Sequence, residues 1–313
     1  MELLDSLKNI TRRLDNEGCE AQLFLVQRNK TRDSVEFSVY RTIISEDISV
    51  LLVKLLYDSL SSMLDSGDFD LVQFIPGYLD DRNVIEYINA KDVLYYNEII
   101  YKVLNNHILD LPEVIDGPLL KNLWAYAVTI NCNGEIITYF NKYTQGKILK
   151  KSKLLSLFYR DGRFNVIEDD IFTLQKSIDC FSIADNIFII RRNNFEQIFC
   201  QQEHYYNIAI QTLGELGDLL TDVDDLTDAC TSDLRKLRKI AAIASSGIYH
   251  DLSFDKIKEV IEGYDLAIEL DEDNQRIKAT KNQIWDLLRL LNDDFLRSPM
   301  TEKKYEVHSK KAR

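Results

Sequence analysis

Leu3, Leu4, Leu7, Ile10 and Leu14 recur at three- and four-residue steps, which predicts an amphipathic helix over residues 1–16. The spacing then shortens. Residues 21–27 are mostly apolar and strand-length, predicting a buried strand, whereas 35–40 alternate Val35, Phe37 and Val39 with Glu36 and Ser38, predicting a half-exposed one. A long helix follows. Ser45 is placed to cap it, Glu46 and Asp47 suit the positive end of its dipole, and Ile48, Leu52, Leu56, Leu60 and Met63 continue one stripe towards Gly67.

Residues 68–110 are less regular, with a short strand expected near 70–75, a turn at Pro76-Gly77, and Tyr-rich segments compatible with helix or strand. Leu111-Pro112 and Gly117-Pro118 then punctuate the chain and predict a boundary between an N-terminal α/β domain (1–115) and a second domain (116–313). The clearest local signal is Asn133-Gly134, two residues suited to the positive φ angles of a type I′ turn between strands 123–132 and 135–140. Counting outward pairs Ile130 with Ile137 and Val128 with Tyr139, and puts Trp124, Tyr126, Val128 and Ile130 on one face. Further strands at 163–167, 171–174, 186–191 and 195–200 would complete an antiparallel sheet over 120–200. Helical spacing then covers 205–216, 226–244, 254–264 and 280–292, within a helical region 202–292, before a terminal strand at 304–309. The expected class is α+β: a small N-terminal α/β domain, then an antiparallel β-meander with a C-terminal helical region.

Composition adds limits. A chain of 313 residues exceeds the roughly 250–300 at which single cores stop growing, so two domains are expected. Charged residues through positions 2–15 interrupt any signal-peptide core, and the best apolar run, 48–56, is broken by Lys54 and falls short of the roughly 18–20 residues that span a bilayer. A cytoplasmic chain without direct membrane insertion is expected. Five dispersed cysteines, none in a Cys-x-x-Cys pair, read as reduced thiols, mostly buried.

Catalytic motifs are tested and set aside. Gly146-Lys147 lacks the glycine of a phosphate loop at position 141, and Ile148 replaces its hydroxyl residue. Asp222, Asp224, Asp225 and Asp228 lack the glycine and bidentate glutamate of a calcium loop. His250-Asp251 has no second metal-binding pair, and the accidental set Asp116, Glu135 and Lys142 reads as surface charge. No catalytic residue, metal ligand or cofactor is expected.

The net charge of −13 opposes nucleic acid, but its distribution is uneven. Residues 65–98 hold eight acids against Arg82 and Lys91, while Lys147, Lys150, Lys151, Lys153, Arg160 and Arg163 face only Asp161 over 147–163. Arg191 and Arg192, and the helically spaced Arg235, Lys236, Arg238 and Lys239, add to the basic set, as does the basic end 297–313. One such cluster is most simply solvated surface; several confined to residues 147–313 point to a phosphate-binding face.

The segment NIFIIRRNNFEQIF (186–199), a Tyr-bearing helix after it, and the ending LNDDFLRSPMTEKKYEVHSKKAR resemble the KwaB family, the soluble component of the Kiwa anti-phage defence system, most strongly over residues 120–313. The resemblance implies a bacterial defence effector that binds DNA, blocks phage replication or expression, and is recruited to the inner membrane by a small multi-pass partner, KwaA. A homodimer is a further candidate assembly. It supplies no catalytic residues, in keeping with action by binding. Two other readings stay open: a metal-dependent nuclease of the same system with dispersed carboxylates, and an adaptor that holds the membrane partner without touching DNA.

Overall fold

A computed structural model describes residues 2–16, 18–31, 34–67, 69–77, 84–104, 109–110, 122–144, 148–149, 157–160, 163–166, 171–278 and 280–307. Its class is α+β, as expected. The chain divides into two compact units, Met1–Val72 with Ile85–Phe199, and Gln73–Val84 with Cys200–Arg313. The boundary expected at 115/116 lies outside the described residues, and strand pairing runs across it within one sheet.

In chain order the first unit contains α1 (Glu2–Asn16), β1 (Glu20–Lys30), β2 (Val35–Arg41), α2 (Glu46–Ser66), β3 (Asp70–Gln73), β4 (Val84–Asn89), α3 (Tyr96–Leu104) and β5 (Leu109–Asp110). It continues with β6 (Leu123–Cys132), β7 (Glu135–Lys142), β8 (Ile148–Leu149), β9 (Leu157–Arg160), β10 (Arg163–Val166), β11 (Ile171–Phe172), β12 (Cys180–Ile183), β13 (Asn186–Ile189) and α4 (Arg192–Ile198). One nine-stranded sheet runs β3-β4-β13-β12-β7-β6-β1-β2-β5, while β8 pairs with β11 and β9 with β10 in separate ribbons. The strands expected at 163–167 and 171–174 therefore leave the meander, and β12, which the sequence reading missed, takes the place beside β7.

Local signals account for much of this. Ser45 accepts the Ile48 N–H at the start of α2, and Gly67 ends it with φ 60°. Asn133 (φ 52°) and Gly134 (φ 91°) turn the β6–β7 hairpin, with Ile130 opposite Ile137 and Val128 opposite Tyr139 as counted. On one sheet face α1 and α2 bury Leu7, Ile10, Leu52, Leu56 and Leu60 with Leu23, Leu25, Val128 and Tyr139. On the other face, where Phe24 and Val26 alternate away from that core, an aromatic set closes: Tyr96 meets Phe140 at 6.0 Å and Phe199 at 5.7 Å, and Phe140 meets Phe199 at 5.3 Å.

Three expectations are corrected in this unit. The strand expected at 195–200 is instead helix α4 and its C-cap, because Phe195, Ile198 and Phe199 bury at i, i+3 and i+4, a helical spacing. Trp124 leaves the face of Tyr126, Val128 and Ile130, for the reason given below. The cysteines are not all free: Cys19 and Cys132 form a disulfide with Cα atoms 4.5 Å apart. Pairing of Glu20 with Asn131 sets these two cysteines opposite each other one step further on, a proximity invisible in their 113-residue separation. Cys180, Cys200 and Cys230 are buried and outside the disulfide.

The second unit is mainly helical, with α5 (Gln201–Glu215), α6 (Val223–Thr231), α7 (Leu234–Ser246), α8 (Phe254–Tyr264), β14 (Glu269–Asp271), β15 (Arg276–Lys278), α9 (Ile284–Leu291), β16 (Phe295–Arg297) and β17 (Lys304–Glu306). Tyr205, Leu213, Leu237, Ile240, Ile257, Leu287 and Leu291 are among the residues of its core. The single helix expected over 226–244 is two, because Asp233 accepts the Arg235 N–H and caps a new start.

Candidate functional site

The basic residues singled out in the sequence separate into three groups. Lys147, Lys150, Lys151 and Lys153 lie outside the described residues, and Arg160 and Arg163 are register partners in the β9–β10 ribbon. In the first unit Arg192 is largely buried, 3.1 Å from Glu86 and 3.5 Å from Glu196, and Arg191 lies 3.4 Å from Asp179. In the second unit α7 carries the rest. Arg235 is exposed and paired with its own cap residue Asp233, lowering the Asp233 carboxyl pKa, while Lys236 donates to the Ala229 carbonyl. Lys239 is an interior ion-pair partner of Asp294, and Arg238 is half-buried on the same helix. Arg192 and Lys239 are thus built into the packing.

The rejected motifs stay apart. Glu135 and Lys142 occupy opposite ends of β7, with Glu135 bound to Arg13, and Asp116 is outside the described residues. The run from Asp222 opens helix α6. Among the described residues no group of three or more His, Cys, Asp or Glu could hold a metal ion.

A site that the sequence reading did not propose lies within the first unit, at the start of β6. Val26 pairs with Ala125 but Gln27 pairs with Leu123, so Trp124 is the extra residue of a β-bulge. The bulge flips the alternation. Leu123 joins the core beneath α1 and α2, and the Trp124 indole turns to the α4 side, where Nε1 donates to the Gln197 and Ile198 carbonyls at 3.1 Å each. Each neighbouring strand brings it a cation: the Arg28 guanidinium carbon, from β1, is 3.4 Å from the ring centroid, and Lys142 Nζ, from β7, is 3.6 Å. The Lys142 ammonium donates to the carbonyls of Trp124 (2.8 Å) and Tyr143 (3.0 Å), and the residue is only 9% exposed.

Behind this corner lies a buried polar junction. Asp179 is fully buried, and its carboxylate accepts the Lys142 backbone N–H at 2.7 Å and Asn194 Nδ2 at 2.8 Å. Asn141, also fully buried, accepts the Asp179 N–H at 3.3 Å and donates to the Tyr126 hydroxyl at 2.8 Å. Burial pushes the Tyr126 hydroxyl up to about 12 despite its hydrogen bonds. The junction ties β7, the approach to β12 and the start of α4 together. In front of it opens a cleft of about 650 Å³ whose lining includes Arg28, Lys30, Trp124, Lys142, Asn194 and Gln197; among the described residues that line it are three cations and no carboxylate. The only local sequence signals for it were Lys142 and Trp124, neither of which forms a motif.

A family model described as "Kiwa protein KwaB-like" matches residues 120–301, more than half of the chain and including β6, β7, α4 and the helices of the second unit. Neither the curated proteins nor the solved structures contain a significant match.

Proposed function

Since the chain belongs to the KwaB-like family of Kiwa proteins, and is thus a component of the Kiwa anti-phage defence system, we propose that it acts there by binding DNA through phosphate contacts. Bound DNA would be withheld from phage replication or expression, with the cytoplasmic chain recruited to the inner membrane by KwaA. The observation that carries this reading is the cationic corner around Trp124, where Arg28, Lys30 and Lys142 converge on a cleft with no acid among its described lining residues. Lys147, Lys150, Lys151, Lys153, Arg160 and Arg163 follow β7 in sequence and extend the proposed basic set, with Arg191, Arg235, Lys236 and Arg238. Lysine-rich contacts supply point charges that position a duplex without reading base edges, so binding should be sequence-blind. No described helix is long and apolar enough to cross a membrane, in keeping with attachment through a partner.

Incubating the pure protein with linear and plasmid DNA, with and without Mg²⁺ or Mn²⁺, tests the proposal. A mobility shift without cleavage is expected; cleavage would make the chain a nuclease, and neither would make it an adaptor. If about six phosphates are neutralised, log K should fall against log salt with a slope near −5. Replacing Lys150, Lys151 and Lys153 by Glu should weaken binding to all sequences alike and flatten that slope.

A further inference from the structure

The Trp124 cleft has the features of a pocket for a discrete ligand as well as those of a charged surface. Its volume of about 650 Å³ lies within the roughly 300–1,000 Å³ of small-molecule sites and exceeds what one phosphate group would fill. Its cations are held in place. Lys142 is fixed by two carbonyls and the indole, the indole is fixed by its Nε1–H shared between two carbonyls, and the bulge that turns Trp124 is part of a sheet in which Val26 and Ala125 are fully buried. Arg28 and Lys30, two positions apart on β1, bring further positive charge to the same opening. A guanidinium offers paired donors that match phosphate oxygens, and ammonium groups complement the remaining charge. Around these cations the lining is amide-bearing: Asn194, anchored through Nδ2 on Asp179, and Gln197 on α4. Amides match the mixed donors and acceptors of a base or sugar edge.

We propose that this cleft is a nucleotide-binding site, with the phosphates held by Arg28 and Lys30, the packed Lys142 ammonium adding positive charge behind them, and the base or sugar set against the amides of α4. The occupant is either a free nucleotide or the phosphorylated end of a strand; both present the same chemistry. The proposal goes beyond the DNA reading, because a free nucleotide suffices and a chain that shifts no duplex could still bind it.

Calorimetric titration of the full-length protein with ATP, inorganic tripolyphosphate, and an oligothymidylate with and without a 5′-phosphate tests this directly. Saturable one-to-one binding of ATP, or of the 5′-phosphorylated strand in preference to its unphosphorylated form, supports the site, and which of the two binds identifies the source. The double variant Arg28→Gln, Lys30→Gln changes groups outside the buried core and should weaken that binding by about tenfold or more; because Arg28 also rests on the Trp124 ring, a small fall in melting temperature is expected, and a retained cooperative transition is the folding control. The pair Lys258→Gln, Lys278→Gln removes two surface cations of the other unit and should change nothing. The proposal is overturned if none of these ligands binds, if the Arg28, Lys30 variant binds undiminished, or if tripolyphosphate binds as tightly as the best nucleotide. Failure of the duplex shift assay alone would remove the DNA reading and leave this titration intact.

Discussion

The two ends of β6 are built on opposite rules. At Cys132 the strand runs into a two-residue turn with positive φ at Asn133 and Gly134, and every residue from Ala125 onward has a partner on β7. At Leu123 the same strand carries an unpaired residue, a cation over its ring from each neighbour, and a fully buried carboxylate behind it. Regular pairing at one end stabilises the sheet and offers a ligand little. The irregular end exposes an aromatic and basic corner that regular alternation would have buried or dispersed.

Variants can separate the two ends. Asp179→Leu should be the most damaging, costing about 3–4 kcal/mol in urea unfolding, because the Lys142 N–H and the Asn194 amide lose a charged acceptor inside the protein. Trp124→Leu should cost about 2–3 kcal/mol, through the lost Nε1–H bond that the Gln197 and Ile198 carbonyls share and through two cation contacts, and should also reduce nucleotide affinity. Gly134→Val should cost about 1–2 kcal/mol: open space surrounds the position, so the penalty comes from the φ of 91°. Its ligand affinity should match that of the unaltered protein; a parallel loss would show that the two ends are not independent. The smallest effect is set by pH. The Tyr126 pKa is raised in the fold, so its contribution is fully present below pH 10, the unfolded value, and is lost as pH rises towards about 12. Denaturation at pH 8 and pH 10 should differ by about 0.4 kcal/mol from this group, a difference that Tyr126→Phe should remove.

The same contrast explains what was legible in the sequence. Ser45, Gly67 and the Asn133-Gly134 pair act through their own backbone and their nearest neighbours, so local spacing revealed α2 and the hairpin register. Helix α4 was misread because its apolar residues directly follow a strand of the same character, and what separates them is the hold of Asp179 on Arg191 and Asn194. Strand β12 is four residues long and fully buried, so it shows no alternation to detect. The candidate site was least visible of all, since a bulge is a relation between two strands and Arg28, Trp124 and Lys142 are separated by most of the first unit's sequence. Basic residues were found by clustering along the chain, a criterion that selected Lys239, committed to Asp294, and passed over Arg28 and Lys30.

The pairing of β1 with β6 also governs how the protein can be made. β1 is complete at Lys30, yet its second neighbour begins at Leu123, about ninety residues later. At roughly 5–20 residues per second of synthesis, the nascent chain spends on the order of ten seconds with β2 available to one side of β1 and nothing on the other. For that interval Leu23, Phe24, Leu25 and Val26 lie on an open sheet edge, the feature that invites pairing with another chain. Ribosomes queued along one message would hold several such edges close together, so the arrival of β6 marks the step at which each growing chain stops being a hazard to its neighbours.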